Sequence, residues 1–186
     1  IEWHWHREFE FLYVESGQII CGIGEKQIIL SKGDAIFINS KILHRFYSLS
    51  GGVIPNFVCM PEFIAPENSL VFKKYILPII SSNMSFQCFQ IAEPWQARII
   101  QIMIKIMETQ ENEKIRELST LALLQHLWLI FYENVKLSDK EKVQTVDEAA
   151  QKRVQLMMQY IHENYNHEMS LDEIASHIGI SKSTAL

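Results

Sequence analysis

Positive charge is scarce in this chain. Seventeen Lys and Arg stand against 22 Asp and Glu, for a formal net charge of −5. A surface with that balance does not coat a polyanion by charge alone. From residue 152 onward, three cations (Lys152, Arg153, Lys182) meet four acids (Glu163, Glu168, Asp172, Glu173). Cysteine is also scarce. Cys21, Cys59 and Cys88 are an odd, scattered set in apolar company, which excludes a disulfide framework and points to buried free thiols in a reducing cytoplasm. No apolar run is long enough to span a bilayer. The most apolar stretch, 121–132, is interrupted by Gln125 and His126. Only seven Gly and five Pro are present, beside 48% apolar and 21% charged residues. That is the composition of an ordinary globular protein, not of a disordered tail. No signal-peptide pattern precedes the first strand-like residues. The chain starts at Ile1 rather than Met, and is read as part of a longer protein.

The pattern changes twice along the chain. Residues 1 to about 60 are strand-like. Spans 9–14, 18–23, 27–30, 35–38, 44–49 and 53–59 are rich in aromatic and branched residues, and several are separated by Gly-bearing turns. Short strands at regular spacing predict an antiparallel sandwich or small barrel. Pro61 and Pro66 mark a boundary. Beyond them the apolar period becomes helical. One helix is expected over 95–110, with Ile99, Ile100, Met103, Ile106 and Met107 as its stripe. A second is expected over 115–134, with Leu118, Leu121, Leu124, Leu127 and Trp128 on a broad face. Two such helices suit either a hairpin packed on the sheets or a dimer interface. The polar run 137–145 reads as a linker, and 147–165 as a third helix.

The segment 170–186 has the grammar of helix, tight turn and second helix. Ser170 and Glu173 form a capping box. Leu171, Ile174, Ala175 and Ile178 share a face. Gly179 suits the positive φ at which helices end. Ser181 is placed to cap a new helix from Lys182. This is a helix-turn-helix pattern, whose second helix enters the major groove of DNA. The sequence reaches about one turn of that helix, so most of the phosphate-binding charge is expected beyond Leu186. Lys182, Ser183 and Thr184 have no apolar reason to be there. With Ser181, they are the candidate DNA-contacting residues.

A second constellation lies near the start. His4 and His6 are two apart, so they share a face of a strand. Glu10 follows at a spacing that needs a twist or bulge, and His44 arrives from a neighbouring strand. Three imidazoles and a carboxylate suit Zn²⁺, Fe²⁺, Mn²⁺ or Ni²⁺. They equally suit the polar end of a small-molecule pocket. Trp3, Trp5 and 9–13 read as sheet-packing aromatics rather than an effector box. His126, His162, His167 and His177 lie at no ligand spacing on helices.

These residues resemble the cupin superfamily. Its first motif matches at His4, His6, Glu10 and Gly17, and its second at Gly33 and His44. The match departs at Asn39, Lys41 and Ser48, where that family usually has Pro, Gly and Asn. Together with Ala175, Gly179 and Ser181 in the helix-turn-helix, the whole order resembles the AraC/XylS family of bacterial transcriptional regulators. The resemblance implies an α+β chain. An antiparallel cupin-like barrel (double-stranded β-helix) over 1–62 would sense an effector, and 63–136 would form a helical dimerisation segment. A linker over 137–146 would lead to an incomplete all-α helix-turn-helix domain over 147–186. It implies DNA and a small molecule, such as a sugar, as partners, a cytoplasmic homodimer, no membrane and no required cofactor. His4, His6, Glu10 and His44 would line the effector pocket or hold a divalent transition metal. No catalysis is expected. The alternative is a metal-dependent cupin oxygenase or isomerase using the same four residues, and the helix-turn-helix speaks against it.

Overall fold

A computed structural model describes residues 1–48, 50–137 and 146–185. The chain divides into two units, Ile1–Asp139 and Lys140–Leu186. The expected linker lies almost entirely outside the described residues.

The first unit is built on antiparallel pairings. Strands β1 (Phe9–Tyr13), β2 (Ser16–Ile23), β3 (Lys26–Ser31), β4 (Ala35–Ile38) and β5 (His44–Tyr47) lie close to the expected spans. The expected strand 53–59 is two, β6 (Gly52–Val53) and β7 (Asn56–Cys59), parted at Ile54 and Pro55. Proline has no N–H to give to a ladder, which is why the strand breaks there. An eighth strand, β8 (Phe86–Phe89), pairs with β4. One sheet has the order β7-β1-β4-β8, the other β3-β2-β5 with β6 paired to β2.

Strand alternation divides the apolar residues between two cores. Leu12, Ile36 and Ile38 of the first sheet join Ile19, Cys21, Ile23, Leu30 and Phe46 of the second in one cluster. The opposite face of the first sheet carries Phe9, Phe11, Phe37 and Phe89, in a second cluster with the helices. The first sheet is therefore covered on both faces, and this explains why β4 reads as an unbroken apolar run.

Five helical segments follow in this unit. A short α1 (Pro61–Ile64), a π-helical turn (Phe72–Ile76) and α2 (Leu77–Ile80) precede β8. Then come α3 (Pro94–Thr109) and α4 (Arg116–Asn134), within one residue of the expected bounds. Pro94 sits in the first turn of α3, where its missing N–H costs nothing. Helix α4 buries Leu124, Leu127, Trp128, Ile130 and Phe131. Trp128 stacks on Phe9 with ring centroids 4.9 Å apart, and its indole N–H donates to the Tyr75 carbonyl in the π-helical turn at 3.0 Å. The expected face is only partly right. Leu118 is 72% exposed, as is 55% of Leu129, because the buried stripe is set by the sheet and runs toward the C-terminal half of the helix. None of the described helices is long and apolar enough to cross a membrane.

The second unit holds α5 (Val146–Asn164), α6 (Leu171–His177) and α7 (Lys182–Ala185). The capping box at Ser170 and Glu173 is formed in full. Gly179 has φ +73°. Behind it the Ile180 N–H donates to the Ala175 carbonyl at 3.0 Å, and the Gly179 N–H to the Ser176 carbonyl at 3.1 Å. That pair of bonds is a Schellman ending, which turns the chain sharply into α7.

Candidate functional site

The four residues singled out near the N-terminus converge. The segment before β1 lies beside β5. His4 and His44 exchange backbone hydrogen bonds of 2.9 Å in both directions. Residues directly opposite in an antiparallel bridge present their side chains to the same face, and the two rings stand 4.2 Å apart. His6 follows on that face, 5.2 Å from His44. The chain then bends at Arg7 and Glu8 and enters the other sheet as β1. Glu10 thus approaches the histidines from across the sandwich, on the same face as Leu12. No bulge is needed, because the turn between sheets supplies the change of direction. Glu10 and His44 are 2% and 1% exposed, while His4 and His6 are half-buried above them.

The hydrogen bonds fix how each ring is used. Nδ1 of His4 lies 2.9 Å from the Glu2 carbonyl, Nδ1 of His6 3.2 Å from that of Glu8, and Nδ1 of His44 2.7 Å from that of Ile42. A carbonyl only accepts, so each Nδ1 carries the proton and donates. Nε2 of His6 and Nε2 of His44 both face one oxygen of Glu10, Oε2, at 3.2 Å and 2.8 Å. The second oxygen, Oε1, accepts from the Asn56 amide at 2.8 Å. With Nδ1 already protonated, each Nε2 contact needs either a second proton or a cation between ring and carboxylate.

The electrostatics follow from this crowding. Burial pushes the Glu10 carboxyl up, but hydrogen bonds from His44, His6 and Asn56 more than reverse it, and hold the group well below the usual carboxylate range. The Glu10 hydrogen bond raises His6, against the opposing effect of burial. Burial lowers His4, with its neighbour His44 adding to the effect. The two half-buried rings are thus shifted in opposite directions, His6 upward and His4 downward.

The donor set fits a divalent transition ion. The four ligand atoms lie within 4.8 Å of one another. Ligands about 2.1 Å from one ion stand roughly 3.4 Å apart in a tetrahedral set, so these four side chains would have to draw together by about an ångström to hold one. Each imidazole is already held through Nδ1 by a carbonyl, the support that orients a metal-ligating histidine.

Two departures from the cupin pattern have local explanations. The Asn39 amide donates to the carbonyls of Ile79 and Met84, both at 2.8 Å, and ties α2 and the approach to β8 onto the sheet. Lys41 adopts φ +62°, the left-handed region where glycine sits without strain. Its N–H donates to the His6 carbonyl at 2.7 Å.

Asn56 was not anticipated as part of the site. Its only signal is a polar side chain on an edge strand, at the register position opposite Leu12 on β1. The other predicted group lies in the second unit. Ser181 caps α7, with its Oγ 3.3 Å from the Thr184 N–H, and shares its hydroxyl with Ser183 and Thr184. Lys182 pairs with Asp172 of α6 at 2.7 Å. All four of these residues are exposed.

Residues 1–54 match the family described as the cupin domain. A Bacillus subtilis (strain 168) protein described as an uncharacterized HTH-type transcriptional regulator, YdeC, is 24% identical over 185 residues. The match covers 97% of this chain and 62% of the relative. The crystal structure of the AraC-like transcriptional activator CuxR superposes with a TM-score of 0.50 at 14% identity, over 96% of this chain and 59% of that one. An apo variant of ToxT from Vibrio cholerae strain SCE256 superposes with a TM-score of 0.52 at 8% identity, over 97% of this chain and 65% of that one. At these identities the two structures speak for a shared fold alone. The chain spans less than two thirds of the length of each of these relatives.

Proposed function

We propose that this chain is the sensing and coupling part of an AraC-type transcription regulator, joined to the first portion of its DNA reader. The observation that carries the reading is the presence of both halves in one chain. A buried imidazole–carboxylate cluster sits in a cupin domain, and a capped helix with a Schellman turn leads into a second helix. In this reading the two sheets close as a cupin barrel, with the sensor over 1–62 completed by β8 from the helical segment. Residues 63–136 couple and dimerise, 137–146 link, and 147–186 begin the DNA-binding domain.

The effector is a small molecule, with a sugar as one candidate, whose polar end meets His4, His6, Glu10 and His44. A divalent transition ion held by those four side chains would supply a Lewis-acid anchor for an oxygen of that molecule. The chain's own part is to hold three Nε2 atoms inward and to keep Glu10 ionised. The effector acts by binding one arrangement of sensor and helices better than another, so it shifts an equilibrium and no covalent step is needed. The regulator reading is preferred to a cupin enzyme because the named relatives are regulators. Dimerisation uses the exposed remainder of α4, around Leu118 and Leu129. Ser181, Lys182, Ser183 and Thr184 meet phosphate or base edges, and the protein works in the cytoplasm.

The test is a mobility-shift assay with a protein that continues through a complete C-terminal domain, on DNA upstream of its own coding region. A specific, salt-sensitive shift is expected, weakened by Lys182→Ala across all sequences. No specific shift at low salt, with or without cell extract, would falsify the regulator reading. Metal analysis separates the two uses of the cluster. An ion retained in stoichiometric amount and lost in His44→Ala supports the ion, whereas a metal-free protein whose effector affinity still falls in His44→Ala supports direct contact.

A further inference from the structure

Away from the imidazole cluster, a cleft of about 600 Å³ runs between β7 and the α3–α4 hairpin. Its floor is the outer edge of β7. Among the described residues this strand pairs with β1 alone and ends its sheet, so alternate N–H and C=O groups point away from the ladder. Ile106 and Met107 of α3, Leu124 of α4, and Met60 and Phe63 at α1 form the walls. Met60 and Met107 are half-buried, and such thioethers adapt to the shape of an apolar guest. The Gln110 amide donates to the Thr120 hydroxyl at 2.8 Å and joins the end of α3 to the start of α4.

None of the twelve lining residues carries a charge. The one ionisable group among them, the Cys59 thiol, is pushed up to about 12 by burial and stays neutral. A ligand carboxylate or phosphate placed here would lose water and meet no cation. A sugar would bring more hydroxyls than Asn56, Gln110, Thr120 and one strand edge can match. The volume falls in the range of small-molecule sites.

We propose that this cleft binds an uncharged, largely apolar small molecule bearing one or two hydrogen-bonding groups, which lies along the β7 edge. The site is separate from the imidazole cluster but touches it. Asn56 lines the cleft and also donates to Glu10. An occupant that shifts β7 therefore reaches the carboxylate through a single side chain.

The test uses the chain itself, with 1-decanol and decanoate as probes at pH 7.5, read by displacement of Nile red and by thermal shift. Saturable decanol binding is expected, with decanoate at least tenfold weaker although its chain has the same length. Met107→Trp and Met60→Trp fill the cleft from opposite walls. Each is expected to lower decanol affinity at least tenfold while the circular dichroism spectrum is retained, and either one that folds serves the test. Equal binding of the two probes, or unchanged decanol affinity in a folded tryptophan variant, would overturn the proposal. So would an absence of decanol binding in which the tryptophan variants change oligomeric state instead, since that outcome assigns the cleft to a second copy of the chain.

Discussion

Lys41 and Gly17 give the residue scale its clearest tests. Lys41 holds φ +62°, a conformation that costs a residue with a Cβ about 1–2 kcal/mol. Lys41→Gly should therefore stabilise the first unit by about 0.5–1 kcal/mol in urea unfolding, where the same change on an ordinary surface loop destabilises. Gly17 is the reverse case. A Cβ there would meet the Gly51 carbonyl oxygen at 2.4 Å, on backbone already at φ +79°. Gly17→Ala should cost at least about 2 kcal/mol, visible as a lower urea midpoint with an unchanged slope. The thiols offer a chemical test. Burial pushes Cys21 and Cys59 up to about 12, so at pH 8 roughly one in ten thousand of each is thiolate. Alkylation by iodoacetamide should be slow in the native protein and rapid in denaturant, and fast native labelling would mean that the sandwich opens. At this scale the sequence was informative about ligand types and poor about their supports. His4, His6, Glu10 and His44 were legible because two-residue periodicity and motif spacing survive in a linear string. Asn56 was not, because a strand pairing brings it to Glu10 across 46 residues of sequence, and the carbonyls behind each Nδ1 were not, because they lie two residues from their histidines and only the ring orientation selects them.

At the scale of elements, α4 separates packing from surface. Leu124 is in the core and Leu118 is not. Leu124→Glu should unfold the first unit, since a carboxylate in that core has no partner. Leu118→Glu paired with Leu129→Glu should leave the circular dichroism unchanged. If α4 is the dimer contact, the double variant should run as a monomer in analytical ultracentrifugation, and an unchanged dimer would move the contact elsewhere. Helix α3 was legible from its proline placement and apolar period, α6 from its capping box and apolar period, and α4 from apolar period alone. Strand β8 was missed for a physical reason. Phe86–Phe89 is four residues long and is a strand only because β4 offers it a ladder. The π-helical turn was equally hidden, since its stabilising partners, the Trp128 indole and the Tyr132 hydroxyl, come from α4 more than 50 residues away. The apolar face of α4 was half right, because period alone does not say which turns of a helix reach the sheet.

The whole molecule joins units of unequal solidity. The first has two buried clusters that meet across one sheet. In the second, only Ile174 and Ala175 are buried among the residues whose burial is described. Amide exchange followed by mass spectrometry should therefore show α6 and α7 exchanging orders of magnitude faster than β1 and β4. Comparable protection in both would mean that the second unit gains burial from a partner or from residues outside the described set. The double cover of the first sheet was not legible in the sequence, because it depends on which helices return to pack on the face opposite the second sheet. That double cover has a consequence for communication. Phe9 and Glu10 are neighbours joined by one peptide bond, yet one packs on Trp128 and the other holds the histidines. The wall between the imidazole cluster and the helical layer is thus one strand thick, so a displacement of the β1 backbone at Glu10 also shifts Phe9 against the Trp128 ring of α4.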